Sequence, residues 1–283
     1  MNLTWQIGDV RVTRVEESVI PLRPEILIPD LTPELIEAER PWADPYFDHE
    51  NRIRLSIHTF VVLSEGNTIV VDTCVGAEPD RPLPADPAYL GRLDEAIDGG
   101  LAAVDVVLCT HLHFDHVGWN TIVVVGARVP TFPTARYLFG RLEWESLAGH
   151  DHDGLAETAV QPIIDAGQAQ FVDTDHRITS EVRLIPTPGH TPGHVSVVIE
   201  SRGASALITG DIAHSPIQFA HPELAAWRFD TDAAASTSTR RTIVERYANT
   251  DTLVLGTHFA PPTAGRLVRD VAGRTAFSSA HQD

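Results

Sequence analysis

Three histidines and one aspartate lie within the segment 111–116, near the middle of the chain. They directly follow the apolar segment 104–109, whose β-branched residues predict a buried strand. These side chains therefore belong to a loop at the carboxyl end of a strand, where open α/β architectures bind ligands. Imidazole and carboxylate groups are ligands of zinc and related divalent cations. Because four such groups so close together have no packing role, the segment predicts a metal site formed by His111, His113, Asp115 and His116.

The composition indicates a soluble globular protein that can bury a full core. The chain has 283 residues, of which 43% are hydrophobic and 21% charged, as is usual for globular domains. No apolar run approaches the roughly 20 residues of a membrane-spanning helix, so we expect no membrane partner. The first residues lack a basic segment followed by an apolar one, and the two cysteines, Cys74 and Cys109, do not indicate a disulfide framework. We therefore expect a cytoplasmic protein.

The charge disfavours nucleic acid as a partner. The formal net charge is −18, and every one of the 21 cationic residues is an arginine, whereas phosphate binding requires clustered cations. The absence of lysine excludes Schiff-base chemistry. A nuclease is disfavoured but stays open, because bound divalent cations would make the site itself more positive.

The pattern of apolar residues predicts two halves with a similar plan, each with several strands and flanking helices. A sandwich of two sheets covered by helices explains this plan better than one doubly wound sheet. We predict a single domain over residues 1–283. The predicted strands are 10–15, 55–63, 68–71, 104–109, 136–139, 182–186, 194–199, 206–209 and 252–255, with a hairpin over 266–277. The predicted helices are 88–97, a segment containing Trp144, and 233–248.

An arm rich in proline interrupts this pattern at about residues 19–51. Thr32 and Pro33 suit the first positions of a helix, as N-cap and first helical residue. Long segments of this kind in compact domains are usually lids, binding loops or interface arms. The arm is therefore interpreted as a lid, as a contact in a homodimer, or as a solvated connector.

Four further polar residues repeat the arrangement of the first cluster. Each lies just past the carboxyl end of a predicted strand, and three of them follow a glycine by one or two positions. Glycine at such a position permits the tight turn that directs a side chain over the sheet edge. Each instance alone is weak, but together with the first cluster they form a specific pattern. These residues are Asp72, His190, Asp211 and His258.

This set resembles the metallo-β-lactamase superfamily over nearly the whole chain. The resemblance implies a four-layer αββα fold and two divalent metal ions, zinc by default, with iron, manganese or cobalt as alternatives. It implies that one metal is held by His111, His113 and His190, and the other by Asp115, His116 and His258. Asp211 would bridge the two metals, and Asp72 would orient the cluster from behind.

Such a centre suits hydrolysis of a small molecule. Two cations about 3.5–4 Å apart can share a hydroxide that attacks a carbonyl or phosphoryl centre, and Asp115 could move a proton to the leaving group. We predict a dinuclear metal-dependent hydrolase that opens a lactone or cleaves a carboxylic ester. The alternative is a phosphotriester or other phosphoester (organophosphate-type) hydrolase. A nuclease and a non-catalytic scaffold of the same fold are less favoured, the scaffold because the ligand set is complete.

The segments 115–120, 210–222 and 227–232 resemble the branch of the superfamily with lactonases and methyl-parathion-hydrolase-like enzymes. The well-known acyl-homoserine lactonases have a tyrosine three residues after the bridging aspartate, and His214 occupies that position here. His214 is thus a candidate to assist the leaving oxygen, or else a supporting or surface histidine.

Three aromatic residues are assigned to an apolar pocket above the metals, namely Phe114, Trp119 and Phe219, and Trp144 is a further candidate. Aromatic residues are more often part of a core, and Phe114 and Trp119 are favoured because they belong to the metal loop. His194 is interpreted as structural and pointing away from His190. The polar cluster at 150–153 is interpreted as a solvated loop.

Overall fold

Two mixed β-sheets form the centre of the molecule in a computed structural model, which describes residues 2–78, 82–151 and 154–280. The first sheet has seven strands in the order β1-β2-β3-β4-β5-β8-β9; β4, β5, β8 and β9 are parallel to one another, and the other neighbours are antiparallel. Its strands are β1 (Leu3–Ile7), β2 (Val10–Leu22), β3 (Ile53–Ser64), β4 (Asn67–Val71), β5 (Val106–Leu108), β8 (Arg136–Gly140) and β9 (Ala169–Val172). A separate hairpin consists of β6 (Thr121–Val124) and β7 (Ala127–Pro130).

The second sheet contains the remaining strands in chain order. Its neighbours are antiparallel except for β12 and β13, which are parallel. The strands are β10 (Val182–Pro186), β11 (Val195–Ser201), β12 (Ala204–Ile208), β13 (Leu253–Leu255), β14 (Ala264–Arg269) and β15 (Thr275–Ser279). The helices are α1 (Pro24–Leu27), α2 (Pro33–Ala43), α3 (Tyr89–Ala96), α4 (Phe114–Val117), α5 (Arg141–His150), α6 (Gln161–Asp165), α7 (Ile217–Ala220) and α8 (Ala233–Tyr247).

The alternation of side chains along a strand produces two apolar layers. In β5, Val106 and Leu108 join a cluster made of strand residues from both sheets, which therefore lies between them. Val107, on the opposite face, belongs to a second cluster that includes residues of the helices. Because successive strand side chains point to opposite faces, each sheet packs on its partner and on helices. The predicted αββα sandwich is confirmed.

Most predicted elements are present, and the differences occur where the pattern is short. Strand β10 and helix α8 match their predicted positions closely, and Thr32 caps α2 by accepting a hydrogen bond from the Leu35 N–H at 3.2 Å. Strands β1, β6, β7 and β9 were not predicted, because four or five residues carry little periodicity. Within the described residues no helix is both long and apolar enough to span a bilayer.

The arm is anchored rather than solvated. Strand β2 continues to Leu22 by pairing with β3, so the irregular part begins later than predicted. Leu27, Ile28 and Ile36 are then buried in the helix-covered core cluster. The interpretation of the arm as a solvated connector is therefore wrong.

Candidate metal centre

The predicted polar residues lie together where strands of both sheets end. Asp72 follows β4, and the first histidine cluster follows the parallel neighbour β5. In the second sheet Asp211 follows β12, and His258 follows its parallel neighbour β13. His190 follows β10. Parallel neighbours end at the same edge of a sheet, which is why residues distant in sequence meet at one site.

Four overlapping groups of potential metal ligands form among the described residues of this site, and two of them match the sets that the resemblance implies. The first is His111, His113 and His190, and the second is Asp115, His116 and His258; within each group the ligand atoms lie within 4.8 Å of one another. The Nε2 atom of His190 lies 2.9 Å from Nδ1 of His113, although these residues are far apart in sequence.

Asp211 lies between the two groups. Its Oδ2 atom is 3.1 Å from Nε2 of His258 and 3.3 Å from Nε2 of His116. The same oxygen is 3.5 Å from Nε2 of His190 and 3.9 Å from Nε2 of His111. One carboxylate thus faces histidines of both groups.

The donor atoms fit divalent cations. The side chains of His111, His116 and Asp211 are almost fully buried. Among the described residues, Nε2 of His111, Nε2 of His116 and Oδ1 of Asp211 have no hydrogen-bond partner. A buried polar atom without a partner is unfavourable, and a cation among these nitrogen and oxygen atoms would satisfy it. The donor set is one that zinc and related metals accept.

The charges around the site also favour a cation. Burial lowers the pKa of His116, but the carboxylates of Asp211, Asp115 and Asp72 outweigh it and hold that pKa well above its usual value. Burial opposes ionisation of Asp211, yet the surrounding histidines, His116 first, hold its pKa well below the usual range. Burial lowers the pKa of His111 well below its usual value. The directions of the pKa shifts of Asp211 and His111 thus favour an ionised carboxylate and a neutral imidazole, the forms that metal binding requires.

Asp72 supports the first cluster from beneath. Its Oδ1 atom accepts a hydrogen bond from the Thr110 N–H at 2.7 Å, and Oδ2 accepts one from the Thr110 hydroxyl at 2.9 Å. Oδ2 also lies 2.9 Å from Nδ1 of His116. The buried carboxylate therefore fixes the orientation of the His116 ring and leaves Nε2 directed at the site, an arrangement that metal-binding histidines commonly have.

Asp230 supports His190 in the same manner and was not identified from the sequence. Its Oδ1 atom lies 3.1 Å from Nδ1 of His190. The buried guanidinium of Arg240, on α8, is 3.9 Å from Oδ2 of Asp230 and donates a hydrogen bond to the Ile212 carbonyl at 3.0 Å. Asp230 belongs to the segment 227–232 that resembles lactonases, so the signal was present but not assigned to a role.

His194 and Gly210 shape the turn that carries Asp211. His194 is structural, as expected, but its ring does not point away from the site, because Nε2 accepts a hydrogen bond from the Asp211 N–H at 2.8 Å. Burial lowers the pKa of His194 to about 4, which keeps this acceptor unprotonated. Gly210 has a φ of +57°, and a Cβ atom there would lie 2.4 Å from Nε2 of His194. Only glycine permits this close approach.

Glu143 links the loop that contains His190 to the loop that contains His111, and it was not identified from the sequence. Its carboxylate is buried and accepts hydrogen bonds from the Gly193 N–H at 2.6 Å and the Leu112 N–H at 3.4 Å. Burial raises the pKa of Glu143. A single glutamate within a helix carries no sequence signal for this role.

His214 lies at the centre itself. Its Nε2 atom is 3.3 Å from Oδ2 of Asp211, and its ring is stacked on that of His258 with centroids 5.5 Å apart. Among the described residues Nδ1 of His214 has no hydrogen-bond partner. His214 is therefore not a surface residue.

A cavity of about 860 Å³ opens above these groups. Its described lining includes the metal-site residues His113, Asp115, His190, Asp211, His214 and His258. The rest of the wall is mainly apolar, and consists of Leu22, Ile26, Leu27, Leu55, Pro82, Leu83, Phe114, Phe229, Thr158, Glu78 and Arg228. The arm contributes Leu22, Ile26 and Leu27 to this wall.

Phe114 is therefore at the cavity, but the assignment of Trp119 and Phe219 to the pocket is wrong. Trp119 is buried, stacks on Tyr89 and donates a hydrogen bond from Nε1 to Oε1 of Glu17 at 2.7 Å. Phe219 is fully buried against Phe259. Both residues follow a metal-site segment closely, but the backbone turns their side chains into the core.

Two other predictions concern the segment around α5. Trp144 packs against Phe171, with ring centroids 5.7 Å apart. In the polar cluster at 150–153, both carboxylate oxygens of Asp151 accept backbone N–H groups, those of Leu155 and Ala156. His152 and Asp153 lie outside the described residues.

Comparison with known proteins agrees with this geometry. The model of the metallo-beta-lactamase superfamily matches residues 52–258. An N-acyl homoserine lactonase from Bacillus sp is 31% identical over 135 residues, which are 47% of this chain and 48% of that protein. The chain thus matches about half the length of this curated relative.

Solved structures share the fold over the whole chain. One is described as hydrolase AbOPH in the beta lactamase superfamily, with a TM-score of 0.82 and 24% identity over 100% of this chain and 98% of that chain. Another is AidC, a dizinc quorum-quenching lactonase in complex with a product, with a TM-score of 0.78 and 20% identity over 100% and 98% of the two chains. Because the family model covers more than half of the sequence and the fold agrees, the chain belongs to the metallo-β-lactamase superfamily.

Proposed function

We propose that the protein is a dinuclear metal-dependent hydrolase that opens a lactone or cleaves a carboxylic ester. In this reaction water adds to the acyl carbon, the acyl carbon–oxygen bond breaks, and the products are a carboxylic acid and an alcohol, joined in one molecule for a lactone. The observation that carries the proposal is the pair of ligand groups on either side of Asp211, with buried donor atoms that have no described partner, beneath one cavity.

The two groups would each hold one cation, zinc by preference. His111, His113 and His190 form one group, and Asp115, His116 and His258 form the other, with Asp211 shared between them. When bound, two divalent cations lower the pKa of water and polarise a carbonyl oxygen. Asp72 would orient the His116 ring toward its cation, and Asp230 would do the same for the His190 ring.

Asp115 is the proposed proton carrier. Its oxygens lie 3.6 Å from Nε2 of His116 and 3.6 Å from Nε2 of His258, and its side chain is 13% exposed and lines the cavity. A carboxylate held between the centre and the cavity can receive a proton from water and deliver it to the leaving oxygen. Asp115 would thus act both on the attacking water and on the leaving oxygen.

His214 is the proposed donor to the leaving oxygen. It borders the cavity beside Asp211, where an imidazole N–H can stabilise negative charge as it develops on that oxygen. The residue replaces the tyrosine that resembling lactonases have at this position. The proposed role of His214 is to donate a hydrogen bond, which a histidine and a tyrosine can both do.

The cavity wall supports an acyl substrate. Apolar residues of the arm and Phe114 line the space next to the polar centre, and such a wall excludes water and binds the hydrocarbon part of an ester. The N-acyl homoserine lactonases that are 30% to 31% identical over half of the chain support a carboxylic rather than a phosphoric substrate. We propose that the arm acts as this wall of the substrate cavity.

Metal analysis combined with a substrate panel tests the proposal. Purified protein should bind about two divalent cations per chain, and removal of the cations should abolish hydrolysis. The panel compares a lactone series, aryl esters, a phosphotriester and a phosphodiester on metal-replete protein. Turnover should be highest on a lactone or ester. Highest turnover on the phosphotriester would overturn the substrate class, and fewer than two cations without any hydrolysis would favour a scaffold.

A further inference from the structure

Arg228 lies on the cavity wall, and we propose that it binds a carboxylate at the far end of the acyl part of the substrate. This inference rests on the proposed function and specifies its substrate class as lactones or esters whose acyl chain carries an anionic group. Arg228 is the one arginine among the described lining residues. The other basic residues of that lining are histidines of the proposed metal centre.

The charge of Arg228 is available to a ligand. The residue is exposed and lines the cavity, and no described residue forms an ion pair or hydrogen bond with its guanidinium group. Glu78, an acidic residue of the same wall, is instead paired with Arg128. The charge of Glu78 is therefore balanced by Arg128, whereas no described residue balances the charge of Arg228.

The backbone of Arg228 is fixed relative to the metal centre. It lies in a tight turn in which the Phe229 N–H and the Asp230 N–H donate to the Ala226 carbonyl at 2.7 and 2.8 Å. Oδ2 of Asp230 closes the turn by accepting the Ala226 N–H at 3.1 Å, while Oδ1 contacts His190. The residue that orients a proposed metal ligand therefore also positions Arg228.

The neighbours of Arg228 fix the turn from two further sides. The Phe229 ring lies 6.5 Å from the His214 ring, measured between centroids. On the other side, Nε1 of Trp227 donates a hydrogen bond to Oδ2 of Asp30 in the arm at 2.6 Å. The backbone of Arg228 is thus held between the centre and the arm.

The arrangement suits a bifunctional substrate. Its reacting carbonyl would lie at the centre, its methylene groups against the apolar wall, and its carboxylate at Arg228. Guanidinium groups bind carboxylates through two parallel hydrogen bonds. In a chain with a formal net charge of −18, a cation on the cavity wall offsets part of the repulsion that an anionic substrate would meet on approach.

Two matched substrates test the inference. One is the mono-4-nitrophenyl ester of a straight-chain dicarboxylic acid, and the other is the 4-nitrophenyl ester of the monocarboxylic acid with the same chain length. On metal-replete wild-type protein, KM for the dicarboxylic ester should be about fivefold to tenfold lower, as a charge-assisted contact in a partly screened site implies. Arg228→Gln should bring the ratio of the two KM values close to one, and Arg228→Glu should invert it.

The control is Arg241→Gln on α8, an exposed arginine that does not belong to the cavity lining; it should preserve the wild-type ratio. An equal KM for the two esters in wild-type protein, or the same ratio in Arg228→Gln, would overturn the inference while leaving the proposed hydrolase intact. If neither ester is hydrolysed, the proposed function has failed. Calorimetric binding of the corresponding pair of non-hydrolysable amides then decides the Arg228 contact alone, with weaker binding of the dicarboxylic amide to Arg228→Gln as the supporting result.

Discussion

The two sheets contribute to the centre in different ways. The first provides four of the proposed ligands on the loop after β5, where Asp72 at the neighbouring strand end orients His116. The second provides single proposed ligands, His190, Asp211 and His258, on three separate loops. Each of these has its own support, through Asp230, His194 and the Ser56 carbonyl, which lies 2.9 Å from Nδ1 of His258.

The two parts of the centre therefore differ in how their side chains are positioned. A run of ligands on one loop is positioned largely by its own backbone, whereas dispersed ligands depend on the packing of distant segments. We therefore expect the two halves to respond differently when their supports are removed, and similarly when a ligand itself is lost.

The largest effect should follow the loss of a ligand from either half. His111→Ala removes a ligand of one group, and Asp211→Ala removes the carboxylate between both groups, so each should reduce hydrolysis to background, a loss of more than about 100-fold. Turnover of the best substrate and metal content provide the measurement. His49→Ala, at an exposed histidine, is the control and should retain activity. Near-normal turnover in Asp211→Ala would contradict its bridging position.

Removal of a support should weaken metal binding about 10- to 100-fold, the usual effect for such groups. In Asp72→Asn and Asp230→Asn, an amide N–H replaces one carboxylate oxygen and faces groups that now donate hydrogen bonds to the carboxylate. Two donors then face each other, and the support is lost. In a metal titration, Asp72→Asn should lower the metal affinity of the group containing His116. Asp230→Asn should lower the metal affinity of the group containing His190.

Asp98→Asn, whose side chain is 96% exposed, is the matched control for these two variants. If both variants lose the same cation equally, the two halves are not supported independently, and the contrast between them fails.

A smaller effect is expected for His214→Phe, which keeps the ring but removes its hydrogen-bonding atoms. Turnover should fall about 10- to 100-fold, while metal content stays at the wild-type level. Loss of a cation would instead make His214 a ligand, since it also lies within ligand distance of His190 and Asp211. An unchanged turnover would assign His214 to structural support.

The smallest effects should separate the cavity wall from the core. Phe114→Ala removes part of the wall and should raise KM a few-fold, with little change in stability. Trp119→Phe leaves a buried oxygen of Glu17 without its donor, which costs about 1–3 kcal/mol in the free energy of unfolding, and should leave KM unchanged. Denaturant unfolding and steady-state kinetics of the two variants provide the comparison.

The sequence located the polar residues of the centre more readily than the residues that support them, for a physical reason. Each proposed ligand follows a strand whose apolar pattern is visible, so the end of β12 locates Asp211 without knowledge of the tertiary structure. Asp230 and Glu143 acquire their roles only through contacts with segments 40 and 50 residues away. The direction of Trp119 was mistaken because a turn after α4, and not the proximity to His116 along the chain, decides which way the ring points.

The pairing between His258 and Ser56 also has a consequence for biosynthesis. The Ser56 N–H donates to the His258 carbonyl at 3.0 Å across 202 positions of the chain. Since polypeptides emerge amino-terminal end first, the ribosome exposes the four-ligand loop long before its last partner exists. The group that contains His258 is therefore complete only after nearly the whole chain has been synthesised, so folding of the centre can finish only late in translation or after it.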